Sequence, residues 1–142
     1  MNLNQVTLPT RDVVESVSFY RGLGLTLIVD SCPRDARLEC PTGGATISLH
    51  HTESLPGSPG ATIYFEVDDV DGIVERLQHM GLRFEHPPVD QPWLWREARL
   101  RDPAGNVICL YHAGDNRRHP PWRVGDREVT RGLREAMHAP NR

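Results

Sequence analysis

The sequence predicts an α+β domain made of two copies of a β-α-β-β-β module, and three observations predict it. Shifting the chain by 57 places without a gap lays Val6-Thr7-Leu8 on Ile63-Tyr64-Phe65, Asp12-Val13 on Asp69-Val70, Val17 on Val74 and Tyr20 on Leu77. The same shift lays Gly24-Leu25 on Gly81-Leu82, so each copy carries a strand, a helix and a glycine stop in the same order. Further along, a shift of 61 lays residues 44–51 on residues 105–112, a second strand with the same punctuation.

In the first copy, residues 3–8 alternate as a strand, with Leu3, Gln5 and Thr7 on one side and Val6 and Leu8 on the other. Asp12 followed by Glu15 resembles a capping box, and Val13, Val17 and Tyr20 recur at helical spacing before Gly22 and Gly24. Residues 25–29, 36–40 and 46–50 then read as short strands between Pro, Asp and Gly turns. A Ser-, Pro- and Gly-rich stretch, 51–60, links the copies. The second copy opens at residues 62–67 and continues through a helix carrying Val70, Ile73, Val74, Leu77 and Met80 that stops at Gly81. Gly72 lowers the local helix propensity. Residues 82–85, 94–100 and 107–111 supply three more strands, with Pro87, Pro88 and Pro92 between the first two. The paired-module domain therefore spans residues 1–112, with copies at about 3–51 and 61–112. Residues 113–142 form a basic, proline-broken arm with a short helix expected over 126–138.

At 142 residues the chain suits one compact domain, or two half-domains that share a core. A net charge of -3, with both signs interspersed, excludes the basic stripe that nucleic acid or an anionic membrane requires. No charged-then-apolar leader and no apolar run of membrane-spanning length appears, so a soluble, cytoplasmic protein with a small-molecule partner is expected. Cys32, Cys40 and Cys109 are odd in number and lack metal-type spacing, which points to reduced thiols. No phosphate loop, dinucleotide fingerprint or nucleophile elbow is present.

The paired modules, the Leu8-Pro9-Thr10-Arg11-Asp12-Val13 and Ser18-Phe19-Tyr20-Arg21-Gly22-Leu23-Gly24 segments, and the Arg101-Asp102-Pro103-Ala104-Gly105-Asn106-Val107-Ile108 turn and strand resemble the vicinal oxygen chelate superfamily. This is the group of glyoxalase I, extradiol dioxygenases, epimerases, fosfomycin-modifying transferases and bleomycin-binding proteins, and the likeness covers about residues 3–112. The resemblance implies an incomplete eight-stranded barrel with the helices outside and a concave face as the site, and a homodimer is expected. It also implies a divalent metal held by His, Glu or Gln from the first and last strand of each module. The matching positions here are Gln5, Ser48, Thr62 and Cys109. Hydroxyls bind such an ion weakly and a lone thiolate prefers soft metals, so neither a metal nor another cofactor is expected. Bleomycin-binding members are the precedent for this fold acting as a metal-free cavity.

Residues two apart on a strand share a face, so Thr7, Thr46, His50, Tyr64, Glu66, Val107 and Tyr111 should join those four positions. On the strand 94–100, placing Ala98 and Leu100 toward the helix sends Trp95, Glu97 and Arg99 inward. The candidate ligand-binding set is therefore Gln5, Ser48, Thr62, Tyr64, Trp95, Arg99, Cys109 and Tyr111, with His50 and Glu97 as candidate catalytic residues. His50 reads three ways: a general base, a relocated metal ligand with Glu97 or Glu66, or a strand-end histidine. Glu97 and Arg99 either orient a ligand or satisfy each other as a barrel salt bridge. Cys109 is either a nucleophile or a small buried apolar residue. The leading expectation is a pocket for an aromatic or oxygenated molecule; the alternative is an enzyme, either a lyase, isomerase or dioxygenase with a divalent ion held by Gln5, His50 and Glu97, or a metal-free acid-base catalyst using Glu97 and His50.

Overall fold

The computed structural model describes residues 1–55 and 60–125. The first module runs β1 (Gln5–Thr10), α1 (Val13–Gly22), β2 (Thr26–Ser31), β3 (Asp35–Glu39) and β4 (Thr46–His51). The second runs β5 (Thr62–Glu66), α2 (Val70–His79), β6 (Val89–Asp90), β7 (Arg96–Arg101) and β8 (Val107–His112), followed by a 3-10 turn at Gly114–Arg117. Each module closes its own four-stranded sheet, in the orders β1-β4-β3-β2 and β5-β8-β7-β6, and in both the first strand pairs parallel with the last. No strand of one sheet pairs with a strand of the other among the described residues. The helix expected over 126–138 lies outside the described residues.

The duplicated punctuation has a duplicated cause. Asp12 Oδ1 accepts the Glu15 N–H and Asp69 Oδ1 accepts the Gly72 N–H, both at 3.0 Å, so each carboxylate satisfies a donor that the first helical turn leaves open. At the far end Leu25 N–H reaches Tyr20 C=O and Gly24 N–H reaches Arg21 C=O; Leu82 with Leu77 and Gly81 with Gln78 repeat the pattern. This double bond needs a left-handed residue after the cap, and Gly24 (φ 105°) and Gly81 (φ 94°) supply it. Gly72 serves its own cap, because a Cβ there would run into the Asp69 carboxylate.

One core joins the modules. Val13, Val17 and Tyr20 of α1 pack with Leu8, Leu38, Ile47 and Leu49 from the first sheet and with Leu77, Leu100, Ile108 and Leu110 from the second module. Tyr20 also donates from its hydroxyl to Asp102 Oδ2 at 2.6 Å. Asp102 further accepts from the Ala104 and Asn106 N–H groups and from Asn106 Nδ2, so the Asp102-Pro103-Ala104-Gly105-Asn106 turn is a buried acceptor for a helix of the other module. Burial, reinforced by the Asp102 charge, raises the Tyr20 pKa and keeps the hydroxyl a donor.

Two expectations change. The strand read at residues 82–85 is reduced to a bridge between Phe84 and Leu100, and the outer strand is the two-residue β6, with Asp90 opposite Arg96. The run Pro87-Pro88 supplies no N–H donor, so the ladder with β7 cannot continue through it. The strand read at 94–100 begins only at Arg96, because residues 91–95 form a tight turn in which the Leu94 N–H donates to Gln91 C=O and Leu94 sits at φ 68°.

Candidate functional site

Both sheets turn their apolar sides to the shared core, which leaves two outward faces built from equivalent strand positions. On the second sheet, cross-strand register aligns Tyr64 with Cys109, Glu66 with Tyr111, Glu97 with Tyr111 and Arg99 with Cys109. Trp95 stacks on Tyr111 with centroids 4.6 Å apart and planes at 21°. Tyr64 stands edge-on to both, at 5.9 Å from Trp95 and 5.7 Å from Tyr111. These are the two geometries that the ring quadrupole favours, so the three rings form a wall rather than a loose cluster. Tyr64 keeps 46% of its surface exposed, and the wall is open to a ligand there.

Beside the wall lies a buried charge. Glu97 is 1% exposed; its Oε1 accepts from Gln91 Nε2 at 3.2 Å and from Arg99 Nε at 3.4 Å, and its Oε2 accepts from Cys109 Sγ at 3.5 Å. Burial first, and then the neighbouring Glu97, pushes the Cys109 thiol up to about 12, so it stays protonated and is not an activated nucleophile. Burial works against the charge on Arg99, but the groups around it, Glu97 foremost, hold its pKa above the ordinary value. Arg99 is thus a fixed cation at the edge of an aromatic wall. Glu66 is committed elsewhere, since its Oε2 accepts from Ala113 N at 2.7 Å and Gly114 N at 3.1 Å, which ties the chain after β8 to β5. Thr62 lies half-buried opposite Val107 at the end of the same sheet. A cavity of about 660 Å³ runs from Tyr64 and Glu66 along β5 to Leu25 and Cys40 of the first module.

The first sheet's face is polar. Gln5 Nε2 donates to Ser48 Oγ at 3.2 Å, Arg37 Nε donates to the same oxygen at 3.2 Å, and Thr46 Oγ1 donates to Gln5 Oε1 at 2.9 Å. His50 Nδ1 meets Asp35 Oδ1 at 2.5 Å. Its neighbour His51 turns to Glu53, at 3.2 Å, so the two histidines part to opposite sides as a strand requires.

The structure therefore gathers Tyr64, Trp95, Glu97, Arg99, Cys109 and Tyr111 on one face and Gln5, Ser48 and His50 on another. Among the described residues no hydrogen bond, ion pair or ring contact joins the two faces. Glu97 and His50, paired in the sequence reading, are partnered separately, by Arg99 and by Asp35. Asp35, Arg37 and Gln91 were not singled out in the sequence, although the β3 and β4 alternation puts Asp35 and Arg37 opposite His50 and Ser48 once the register is known.

The resemblance implies a divalent metal at Gln5, Ser48, Thr62 and Cys109, and the chemistry of these donors does not fit one. The Gln5 amide is engaged by Ser48 and Thr46, two of the donors are neutral hydroxyls, and the Cys109 thiol is protonated and turned to Glu97. Among the described residues no three His, Cys, Asp or Glu side chains gather to hold a metal ion.

Comparison with known proteins agrees with the fold. The anthracycline biosynthesis protein DnrV of Streptomyces peucetius is 31% identical over 124 residues, which cover 75% of this chain and 45% of that protein. The chain thus spans less than half of that relative's length. A glyoxalase/bleomycin resistance protein/dioxygenase from Nocardioides superposes with a TM-score of 0.73 at 25% identity, covering 88% of this chain and 90% of that one. A family enzyme of the same description from Burkholderia phytofirmans PsJN gives 0.68 at 26% identity, with 80% and 99% covered. Residues 2–110 match the model of the Glyoxalase/Bleomycin resistance protein/Dioxygenase superfamily, and the chain belongs to that family.

Proposed function

We propose that the protein binds a small planar aromatic molecule carrying an anionic oxygen, on the second sheet's face and without a resident divalent metal. The observation that carries this reading is the wall of Trp95, Tyr111 and Tyr64 standing beside Arg99. Rings offer a stacking surface for a fused or substituted aromatic system, and a guanidinium whose Nε already leans on Glu97 can turn its terminal N–H groups to a ligand oxyanion. A curated relative named for anthracycline biosynthesis supports an aromatic ligand.

A homodimer completes the reading. The second sheet's face is open at Tyr64, and among the described residues no hydrogen bond, ion pair or ring contact joins it to the first sheet's face, so a second copy is a natural cover. The rival reading, a metal enzyme built on Gln5, His50 and Glu97, draws no support from side chains that are each engaged elsewhere.

Calorimetric titration with anthraquinone-2-carboxylate, together with light scattering and elemental analysis of the purified protein, tests the proposal. Expected are one saturable site per chain, a dimeric mass and no stoichiometric metal. Absence of binding sinks the ligand class; a tightly held stoichiometric divalent ion revives the enzyme reading.

A further inference from the structure

The turn that follows β8 brings a second cation to the aromatic wall. Ala113 packs with Cys109, Tyr111 and Trp95, so the chain leaves the sheet across the end of the stacked rings. Glu66 fixes its course: Oε2 accepts the Ala113 and Gly114 N–H groups at 2.7 and 3.1 Å, and Oε1 faces Arg117 Nε at 3.7 Å. That last separation is too long for a hydrogen bond, and 48% of the Arg117 side chain is exposed, so the pair is loose. The terminal guanidinium nitrogens of Arg117 form no hydrogen bond among the described residues. Its charge reaches the rings all the same: burial and Glu66 raise the Tyr111 pKa, and Arg117 opposes the rise.

Strand register sets the span between the two cations. Arg99, Cys109 and Tyr64 form one row across β7, β8 and β5, and Glu97, Tyr111 and Glu66 form the next. Arg99 and Glu66 are thus diagonal corners, two strands across and two residues along, or about 12 Å between Cα positions. Arg117 stands at the Glu66 corner, so Tyr64 and Tyr111 lie between two guanidiniums, neither of which has its terminal fork filled by a carboxylate among the described residues.

Resting on the aromatic oxyanion reading above, we propose that Arg117 is a second specificity-determining cation of that site and that the ligand is a fused aromatic with anionic oxygens at both ends, one for Arg99 and one for Arg117. Guanidinium forks match carboxylate and enolate oxygens, and two of them at opposite corners select for length as well as charge. A fused polycyclic body can follow the diagonal along the exposed ring of Tyr64 and place an oxygen at each corner. A single ring is too short to do so. A compact dianion with both charges at one end fills one fork and leaves the other in water. Specificity then comes from the difference between these ligands rather than from the stacking that all of them share.

Calorimetric titration of the full-length protein with three probes tests this: anthraquinone-2-carboxylate, anthraquinone-2,6-dicarboxylate with its charges at opposite ends, and anthraquinone-2,3-dicarboxylate with both at one end. The wild type is expected to bind the 2,6-dicarboxylate about tenfold more tightly than the monocarboxylate, with no such gain for the 2,3-isomer. Arg117→Met is expected to bring that ratio to about one, and Arg117→Lys to keep part of it. Arg83→Met removes an exposed charge from the groove beside Phe19 and Phe84, away from the wall, and is expected to keep the ratio, which separates a local cation from net charge. Arg117 is exposed in a turn beyond the last strand, so its variants should fold, which circular dichroism checks. Saturable binding of the monocarboxylate with no gain for the 2,6-dicarboxylate, a gain kept by Arg117→Met, or a gain lost equally in Arg83→Met overturns the assignment of Arg117 and leaves the aromatic reading standing. No binding of any of the three probes overturns both.

Discussion

The two sheets of this protein share a backbone plan and differ in what they show to the outside. The first presents an exposed ladder of Gln5, Arg37, Ser48 and His50, each held by a cross-strand or neighbouring partner. At the matching positions the second presents stacked rings over a buried Glu97. Their backs, in contrast, are alike: Leu8, Leu38, Ile47 and Leu49 on one and Leu100, Ile108 and Leu110 on the other feed the same core. Core packing constrains one side of each strand, and the period of two leaves the other side free to take on different chemistry.

The contrast can be broken at its shared base. Tyr20→Phe removes the hydroxyl that crosses between the modules and should cost about 2 kcal/mol in denaturant unfolding, since hydrogen bonds to a charged acceptor lie at the upper end of the usual range. Both faces should suffer together, in proportion to the unfolded fraction. A loss confined to one face would mean that the modules are stabilised independently.

The next effect belongs to one face only. Trp95→Ala should weaken binding of anthraquinone-2-carboxylate by about 1–2 kcal/mol in calorimetry, through lost stacking, whereas His50→Gln on the first sheet should leave that binding unchanged. Equal loss in both variants would make the faces parts of one site.

A pH series sharpens the difference in burial. The Cys109 thiol ionises at about 12 in the fold against 9.0 in a free chain, so its stabilising contribution is complete below pH 9 and declines as the pH rises toward 12. The wild type should therefore lose more stability between pH 8 and pH 11 than Cys109→Ala does, and iodoacetamide should leave Cys109 unmodified in the native protein. Rapid native alkylation would contradict this picture of the second face.

The smallest effect is at a cap. Gly72→Ala gains about 1 kcal/mol of helix propensity and loses an Asp69 cap of about the same worth, so the midpoint of unfolding should barely move. A clear stabilisation would show that the carboxylate can step aside.

Much of this fold was legible in the sequence because its signals are local. Gly24 and Gly81 mark helix ends that only a left-handed residue can close, and Asp12 and Asp69 mark helix starts. Alternation placed Tyr64, Glu97, Arg99, Cys109 and Tyr111 on one side because that periodicity is a property of the single strand. What the sequence did not disclose is non-local. Asp35 becomes the partner of His50 only through the β3–β4 register, and Gln91 reaches Glu97 only through a tight turn that holds Leu94 at a positive φ. Nor do the local signals show that each sheet turns its apolar side to a common core, or that His50 and Glu97 find separate partners in Asp35 and Arg99.

The most direct test of the central claim is fluorescence of Trp95. The chain has three tryptophans, so replacing Trp93 and Trp122 by phenylalanine leaves Trp95 as the sole indole reporter. Titration with anthraquinone-2-carboxylate should then quench it saturably, with one site per chain, and Arg99→Met in the same background should weaken the apparent Kd by about tenfold or more. Quenching that never saturates, or a Kd indifferent to Arg99, would contradict an aromatic oxyanion site on the second sheet.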